Sequence, residues 1–304
     1  MPGMQALTLD ALIDYRPDAF AAVDIGAMNL ACAVGLPGAE DVGVDNYLAI
    51  LAFWVHVVDV ATMNNWSRFV RGEANAKSEA DWRMLVLTTV LQKQFGVRYN
   101  LDRVTREDWS DSRDLFIHGL LGPTRTGTCP SLPTLIVSIG RRLGYPLKLV
   151  LAPGHVFCRW DDKATGERFN IECHGRGMVS DPDEYYLTWP RRWPPELIEL
   201  ERERGERANF LRSLEPAEEF AEFLALRGHC LEAHGRTREA QQAYEAAVRL
   251  APHRHSFSRF LNDLRHGIPY PHGMLQGGTI RAPGGRVMDH VFAFPPTPSR
   301  WRFA

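Results

Sequence analysis

Three residues have the types and the order that suit nucleophilic chemistry. Cys129 lies in Gly127-Thr128-Cys129-Pro130-Ser131, His155 in Gly154-His155-Val156-Phe157, and Glu172 closes Phe169-Asn170-Ile171-Glu172. A thiol just before an apolar helix, then a histidine and a carboxylate on successive strands, is a common way to build a cysteine nucleophile. The reactive form of cysteine is the thiolate, and a helix N-terminus favours an anion through its unpaired N–H groups and its dipole. An imidazole beside the sulfur pairs with it and later protonates the leaving group. A carboxylate or an amide on the other ring nitrogen fixes the tautomer, so Glu172 is the first candidate orienter and Asn170 the alternative. The Cys129 N–H supplies one candidate oxyanion donor.

The elements that must position these groups are legible as patterns. Leu132, Leu135, Ile136, Ile139 and Leu143 recur at helical spacing after Cys129, and Gly144 is a C-terminal stop. Pro130 and Pro133 fall in or near the first turn, where a missing N–H costs little. Residues 147–151, 155–160 and 167–172 read as three strands, the last two joined by a hairpin turn over 161–166. Strand alternation puts His155, Phe157 and Arg159 on one face and Val156, Cys158 and Trp160 on the other. In the next strand Asn170 and Glu172 share a face opposite Phe169, Ile171 and Cys173. His155 and Glu172 therefore belong together, while Cys158 and Cys173 point into apolar packing. A helix followed by antiparallel strands predicts an α+β core.

Around this core the chain is mostly helical. Residues 18–34 form one alanine-rich helix stopped by Gly35-Leu36-Pro37-Gly38. Asp45 caps a second helix to about residue 69, with Leu48, Leu51, Ala52, Val55 and Val58 inward. Ser78-Glu79-Ala80-Asp81 opens a third, with Trp82, Leu85, Val86, Thr89, Val90 and Phe95 on its buried side. Residues 98–114 read as loop with short helical turns, and 115–121 as one short helix. Asp111 and Arg113 form an ion pair that stabilises the fold or faces substrate. From residue 196 the chain is helical and charged. Gly228, Gly235, Ala240, Tyr244, Ala247 and Pro252 match the small and aromatic positions of a tetratricopeptide helix pair, with Arg227 where leucine is preferred. Such a unit needs neighbours, expected from residues 196–214 and 256–264. The Gly/Pro-rich tail is expected to be an extended surface wrap.

Composition narrows the class. The net charge is -2, with no basic face for nucleic acid. Five cysteines, an odd number without a CxxC pair, argue against a disulfide scaffold and for a reducing compartment. Cys158, Cys173 and His174 lack zinc spacing, so no metal and no cofactor is expected. The N-terminus lacks a signal-peptide pattern. Residues 47–63, interrupted by His56 and Asp59, read as a buried helix too polar to span a bilayer. The expectation is a cytoplasmic protein that binds neither membrane nor nucleic acid.

The motifs Gly127-Thr128-Cys129, Arg142-Leu143-Gly144-Tyr145-Pro146, Gly154-His155-Val156-Phe157 and Phe169-Asn170-Ile171-Glu172 resemble the transglutaminase-like core, a circularly rearranged relative of papain-type proteases. With Asp111-Ser112-Arg113-Asp114 and Pro153-Gly154-His155, the chain is more specifically similar to a bacterial branch that carries a C-terminal tetratricopeptide segment. The resemblance implies Cys129 as nucleophile and His155 as base. The family's third position is usually aspartate, and Glu172 stands there here. It also implies peptide or amide hydrolysis or glutamine acyl transfer, on a peptide or protein amide. The competing expectation is a non-catalytic interaction or regulatory protein, with a vestigial core and C-terminal helices that bind a protein partner. The expected organisation is a helical region over 1–97, the core over 98–190, tetratricopeptide-like helices over 191–265 and a tail over 266–304.

Overall fold

The computed structural model describes residues 7–103, 108–173, 177–190 and 192–268, and the backbone of two short strands beyond them. In chain order the helices are α1 (Leu9–Ile13), α2 (Ile25–Ala33), α3 (Val44–Val70), α4 (Glu79–Thr89), α5 (Ser112–Leu115), α6 (Ile117–Leu121), α7 (Ser131–Arg142), α8 (Asp183–Tyr186), α9 (Pro195–Arg204), α10 (Pro216–Ala233), α11 (Thr237–Leu250) and α12 (His255–Arg265). The strands are β1 (Arg98–Tyr99), β2 (Thr126–Gly127), β3 (Leu147–Ala152), β4 (His155–Asp161), β5 (Arg168–Ile171), β6 (Ile280–Arg281) and β7 (Val287–Met288). Apart from β6 and β7, the tail from residue 269 lies outside the described residues.

Local backbone choices break two helices that periodicity alone joins. The helix expected over 18–34 is a 3-10 turn, Pro17–Ala22, followed by α2. Val23 is extended between them, and the Asp24 carboxylate accepts from Ala27 N at 2.9 Å to cap the new start. The helix expected over 115–121 breaks at Phe116, whose ψ of 156° starts α6 afresh. There Ile117 N donates to Asn29 Oδ1 on α2, a contact distant in sequence. Gly43, not Asp45, caps α3. Asp45 sits in the first turn, near the positive end of the dipole. The buried side of α3 is Leu51, Trp54, Val58 and Thr62, and Ala52 is exposed. In α4 the Ser78 hydroxyl accepts from Asp81 N as expected. Within α4 Thr89 is exposed while Met84 and Leu87 are buried, and the helix then continues as a π turn over Val90–Gln94 in which Val90 and Leu91 are buried.

By length and composition α3 can cross a membrane, contrary to the reading that His56 and Asp59 exclude it. Only 22% of its most apolar window is buried. Phe53, Met63, Trp66 and Val70 lie on its exposed surface.

The site rests on α7 and the three-stranded antiparallel sheet β3-β4-β5. Residues 131–140 of α7 are all buried, and one large core cluster joins Leu132, Leu135 and Ile136 of this helix to Leu147, Leu149, Cys158, Trp160 and Ile171. Each fully buried aliphatic side chain here contributes on the order of 2 kcal/mol. Gly140 is needed for the approach of the sheet, since a Cβ there would lie 2.2 Å from Leu147 Cδ1. The other sheet face packs Val150, Ala152 and Phe157 against Tyr186, Trp193 and Leu197.

The C-terminal helices differ from expectation in their neighbours. α11 packs between α10 and α12, and the Tyr244 ring occupies the space a Cβ at Gly228 would take. On its other side α10 packs on α2 and the Pro17–Ala22 turn, with Phe20 stacked on Phe220 at 4.9 Å. Residues 211–214 do not supply a helix there: Leu211 N and Leu214 N donate to Leu151 O and Leu149 O along the β3 edge. The docking of α10 on α2 explains Arg227, which donates to Cys32 O and Val34 O, both at 2.8 Å, at the C-terminus of α2. A leucine could not satisfy those carbonyls.

Candidate functional site

The Cys129 segment is held by backbone groups distant in sequence. β1 and β2 pair in parallel, bringing Tyr99 beside Gly127, and Asn100 N donates to Gly127 O at 2.8 Å. The Asp114 carbonyl then accepts from Thr128 N at 3.1 Å and from the Thr128 and Ser131 hydroxyls, each at 2.8 Å. The Asp114 carboxylate is fixed by Asn100 Nδ2 at 2.8 Å and Arg103 Nε at 2.7 Å. Ser131 Oγ accepts from Thr128 N at 3.0 Å, which closes the turn. α7 starts at Ser131 with Pro130 as its cap, so Cys129 stands just outside the helix. Cys129 is half-buried, while Gly127, Thr128 and Pro130 around it are buried.

His155 opens β4, and its Nε2 lies 2.6 Å from Glu172 Oε1. Arg159 pairs with Asn170 across β4 and β5, so continuing that register puts Glu172 opposite Phe157 and His155 diagonally from it. Diagonal neighbours on one sheet face are within reach of long side chains. Both residues are buried. The Tyr186 phenol also donates to Glu172 Oε1, at 3.0 Å. Burial, together with the adjacent Glu172 carboxylate, pushes that phenol's pKa far upward. The Trp189 ring meets the imidazole edge-on at 4.7 Å.

Asn170, the alternative orienter, is engaged elsewhere. Its Oδ1 accepts from Arg159 Nε at 2.7 Å, and its Nδ2 donates to Asp181 O at 3.0 Å and Asp183 Oδ1 at 2.8 Å. Arg159 is completely buried and also binds Asp183 Oδ1 at 2.5 Å; burial lowers its pKa to about 10, so it stays charged at neutral pH. The structure thus brings Glu172, not Asn170, to His155. Asp111 and Arg113 pair at 2.7 Å, and Asp111 accepts from Arg113 N to cap α5. Neither is among the residues that line the cavity below.

Cys129, His155 and Glu172 line one cavity of about 20 Å³, together with Tyr99, Leu132, Pro133, Ile136, Val156, Cys158, Ile171 and Cys173. That is room for about one water molecule. Cys129, just ahead of α7, and His155, at the start of β4, thus share this cavity. Cys158 is buried and donates to Pro133 O at 3.2 Å. Cys173 is half-buried and shares the cavity, which strand alternation alone did not anticipate. Burial, and then the charge of Glu172, pushes the Cys173 thiol far up; burial does the same for Cys158. His174 lies outside the described residues, and among the described residues no group of three His, Cys, Asp or Glu could hold a metal ion.

Sequence reasoning missed Tyr99, Asp114, Tyr186 and Trp189. The aromatic run Tyr185-Tyr186-Leu187-Thr188-Trp189 was the available signal for the last two. The family model of the transglutaminase-like superfamily matches residues 60–217, more than half of the chain. No curated protein and no solved structure matches it. The chain belongs to the transglutaminase-like superfamily.

Proposed function

We propose that this transglutaminase-like chain performs cysteine-dependent amide chemistry, with Cys129 as nucleophile, His155 as general base and acid, and Glu172 as orienter. One observation carries the reading: a buried His155–Glu172 pair, 2.6 Å apart, lines the same cavity as the half-buried Cys129. With Nε2 turned to the carboxylate, Nδ1 is the nitrogen that takes the thiol proton. The thiolate adds to the amide carbonyl carbon, and Nδ1–H then protonates the departing nitrogen as the C–N bond breaks. The resulting thioester is attacked by water or by a primary amine, which gives its proton back to Nδ1. Sulfur leaves as the thiolate, and the product is an acid or a new amide. The substrate class is a peptide or protein amide in the cytoplasm, of the kind the amide chemistry of the transglutaminase-like superfamily implies.

A second reading, a non-catalytic interaction protein whose α10–α11 pair binds a protein partner, is favoured by the narrowness of the cavity. Alkylation by iodoacetamide across pH separates the two. The catalytic reading expects Cys129 to react well below the pH range of a free thiol and to lose this in His155→Ala. Alkylation only after denaturation refutes it. For a reactive Cys129, amine incorporation against peptide cleavage then distinguishes transferase from hydrolase.

A further inference from the structure

Glu172 Oε1 carries two donors: Nε2 of His155 at 2.6 Å and the Tyr186 phenol at 3.0 Å. The phenol is not there by chance of a mobile loop. The Tyr186 ring is fully buried and stacks on Phe157 with centroids 4.0 Å apart and planes 6° from parallel. It also lies 6.2 Å from the His155 ring at 14°. α8, which bears it, is pinned to the sheet at its other end: Asp183 binds Arg159 Nη2 at 2.5 Å, Asn170 Nδ2 at 2.8 Å and Arg168 Nη2 at 3.0 Å.

We infer that Tyr186 is a positioning residue that clamps the Glu172 carboxylate against His155, an inference that rests on the catalytic reading above. Glutamate has one more rotatable bond than the aspartate usual at this position, and it meets His155 on the diagonal. An imidazole contact alone leaves that carboxylate free to swing about its last bond, at a cost in side-chain entropy when it is held. A second donor on the same oxygen, delivered by a ring locked in a stack, fixes the oxygen in place. Two donors also favour the ionised carboxylate, the form that accepts from an imidazole N–H. Burial and the Glu172 charge keep the phenol protonated, and so a donor, through the working pH range.

The test uses the full-length protein and the pH dependence of Cys129 alkylation by iodoacetamide, with the modified residue identified by peptide mass spectrometry. Tyr186→Phe keeps the ring and its stack and removes only the donor. It should move the acid limb of the alkylation profile up by about one pH unit, which is about tenfold slower alkylation below the limb. Glu172→Gln should move it further, and Tyr186→Phe added to Glu172→Gln should move it no more. A merely structural role shifts the limb equally in both backgrounds, and that result overturns the inference. So does a Tyr186→Phe profile that superimposes on the wild type. A wild-type limb at the ordinary thiol position, unmoved by His155→Ala, is a different failure: it removes the Cys129–His155 pair itself.

Discussion

Gly127→Ala is a sharp test of how the Cys129 segment is held. Gly127 does not adopt a left-handed backbone conformation, so alanine is acceptable there to the backbone, and a less flexible unfolded chain favours it by about 0.4–1 kcal/mol. Sterics act the other way. The new Cβ would lie 2.3 Å from Ser131 Oγ, 2.9 Å from Leu120 Cδ2 and 3.0 Å from Leu120 Cγ, where carbon contacts are comfortable at about 3.5–4.0 Å. Ser131 Oγ must leave its place, and with it go the bonds to Asp114 O and Thr128 N. Each lost bond costs about 1 kcal/mol, and displacing Leu120 adds roughly 1–3 kcal/mol. The expected net loss is about 3 kcal/mol in urea unfolding, accompanied by a change in Cys129 alkylation. Ser131→Ala removes the nearest clashing atom, so Gly127→Ala should cost less in that background, a coupling that a double-mutant cycle reads directly. Gly144→Ala is the control. Gly144 has φ 79° with nothing within 4 Å of its would-be Cβ, so it should cost about 1–2 kcal/mol and leave Cys129 alone. A Gly127→Ala protein as stable as the wild type, or strict additivity with Ser131→Ala, refutes the account.

Two other outcomes follow from buried groups. Burial lowers the pKa of His118 to about 4 and of His229 to about 3, from 6.5. Each contributes stability that is complete above the unfolded value and is lost as pH falls from 6.5 toward the folded value, by about 1.4 kcal/mol per pH unit per histidine. Urea unfolding at pH 7 and pH 5 should therefore differ by on the order of 3–4 kcal/mol, a difference reduced by about half in His118→Asn; a flat profile contradicts neutral burial. Arg227→Leu restores the residue that tetratricopeptide helices prefer, yet it should destabilise by about 1–3 kcal/mol, because Cys32 O and Val34 O lose their donor. A stabilised Arg227→Leu protein would show that solvent satisfies those carbonyls.

What the sequence makes legible is whatever depends on near neighbours. The helix after Cys129 follows from Leu132, Leu135, Ile136 and Ile139 at one spacing, and the pairing of His155 with Glu172 from a period of two along adjacent strands. What it leaves dark is set by contacts distant in the chain. The break at Phe116 is stabilised by Asn29, which accepts from Ile117 N across 88 residues of sequence. Asp114 works chiefly through its carbonyl oxygen, which any residue possesses, so no side-chain pattern announces it. Tyr186 arrives at Glu172 because Asp183 is anchored by Arg159, and an ion pair between a helix start and a neighbouring strand has no local signature. The choice of Glu172 over Asn170 needed this same cluster, which draws the Asn170 amide away from His155.

That cluster also bears on why one cavity with three thiols would have a single nucleophile. Cys129, Cys158 and Cys173 all line it, so proximity does not separate them. In the proposed chemistry Glu172 does, by acting with opposite sign along two routes. Directly, its negative charge adds to burial in keeping Cys158 and Cys173 protonated. Through His155 the sign reverses: a carboxylate on Nε2 stabilises the imidazolium, and an imidazolium stabilises whichever thiolate its other nitrogen faces. Selectivity then depends on the carboxylate staying where it reaches Nε2, because a swung-away Glu172 would leave only its direct, thiolate-suppressing effect. Under the proposed chemistry, then, the choice of sulfur follows from whatever fixes Glu172, and the second donor on its Oε1 is the Tyr186 phenol, held by its stack on Phe157.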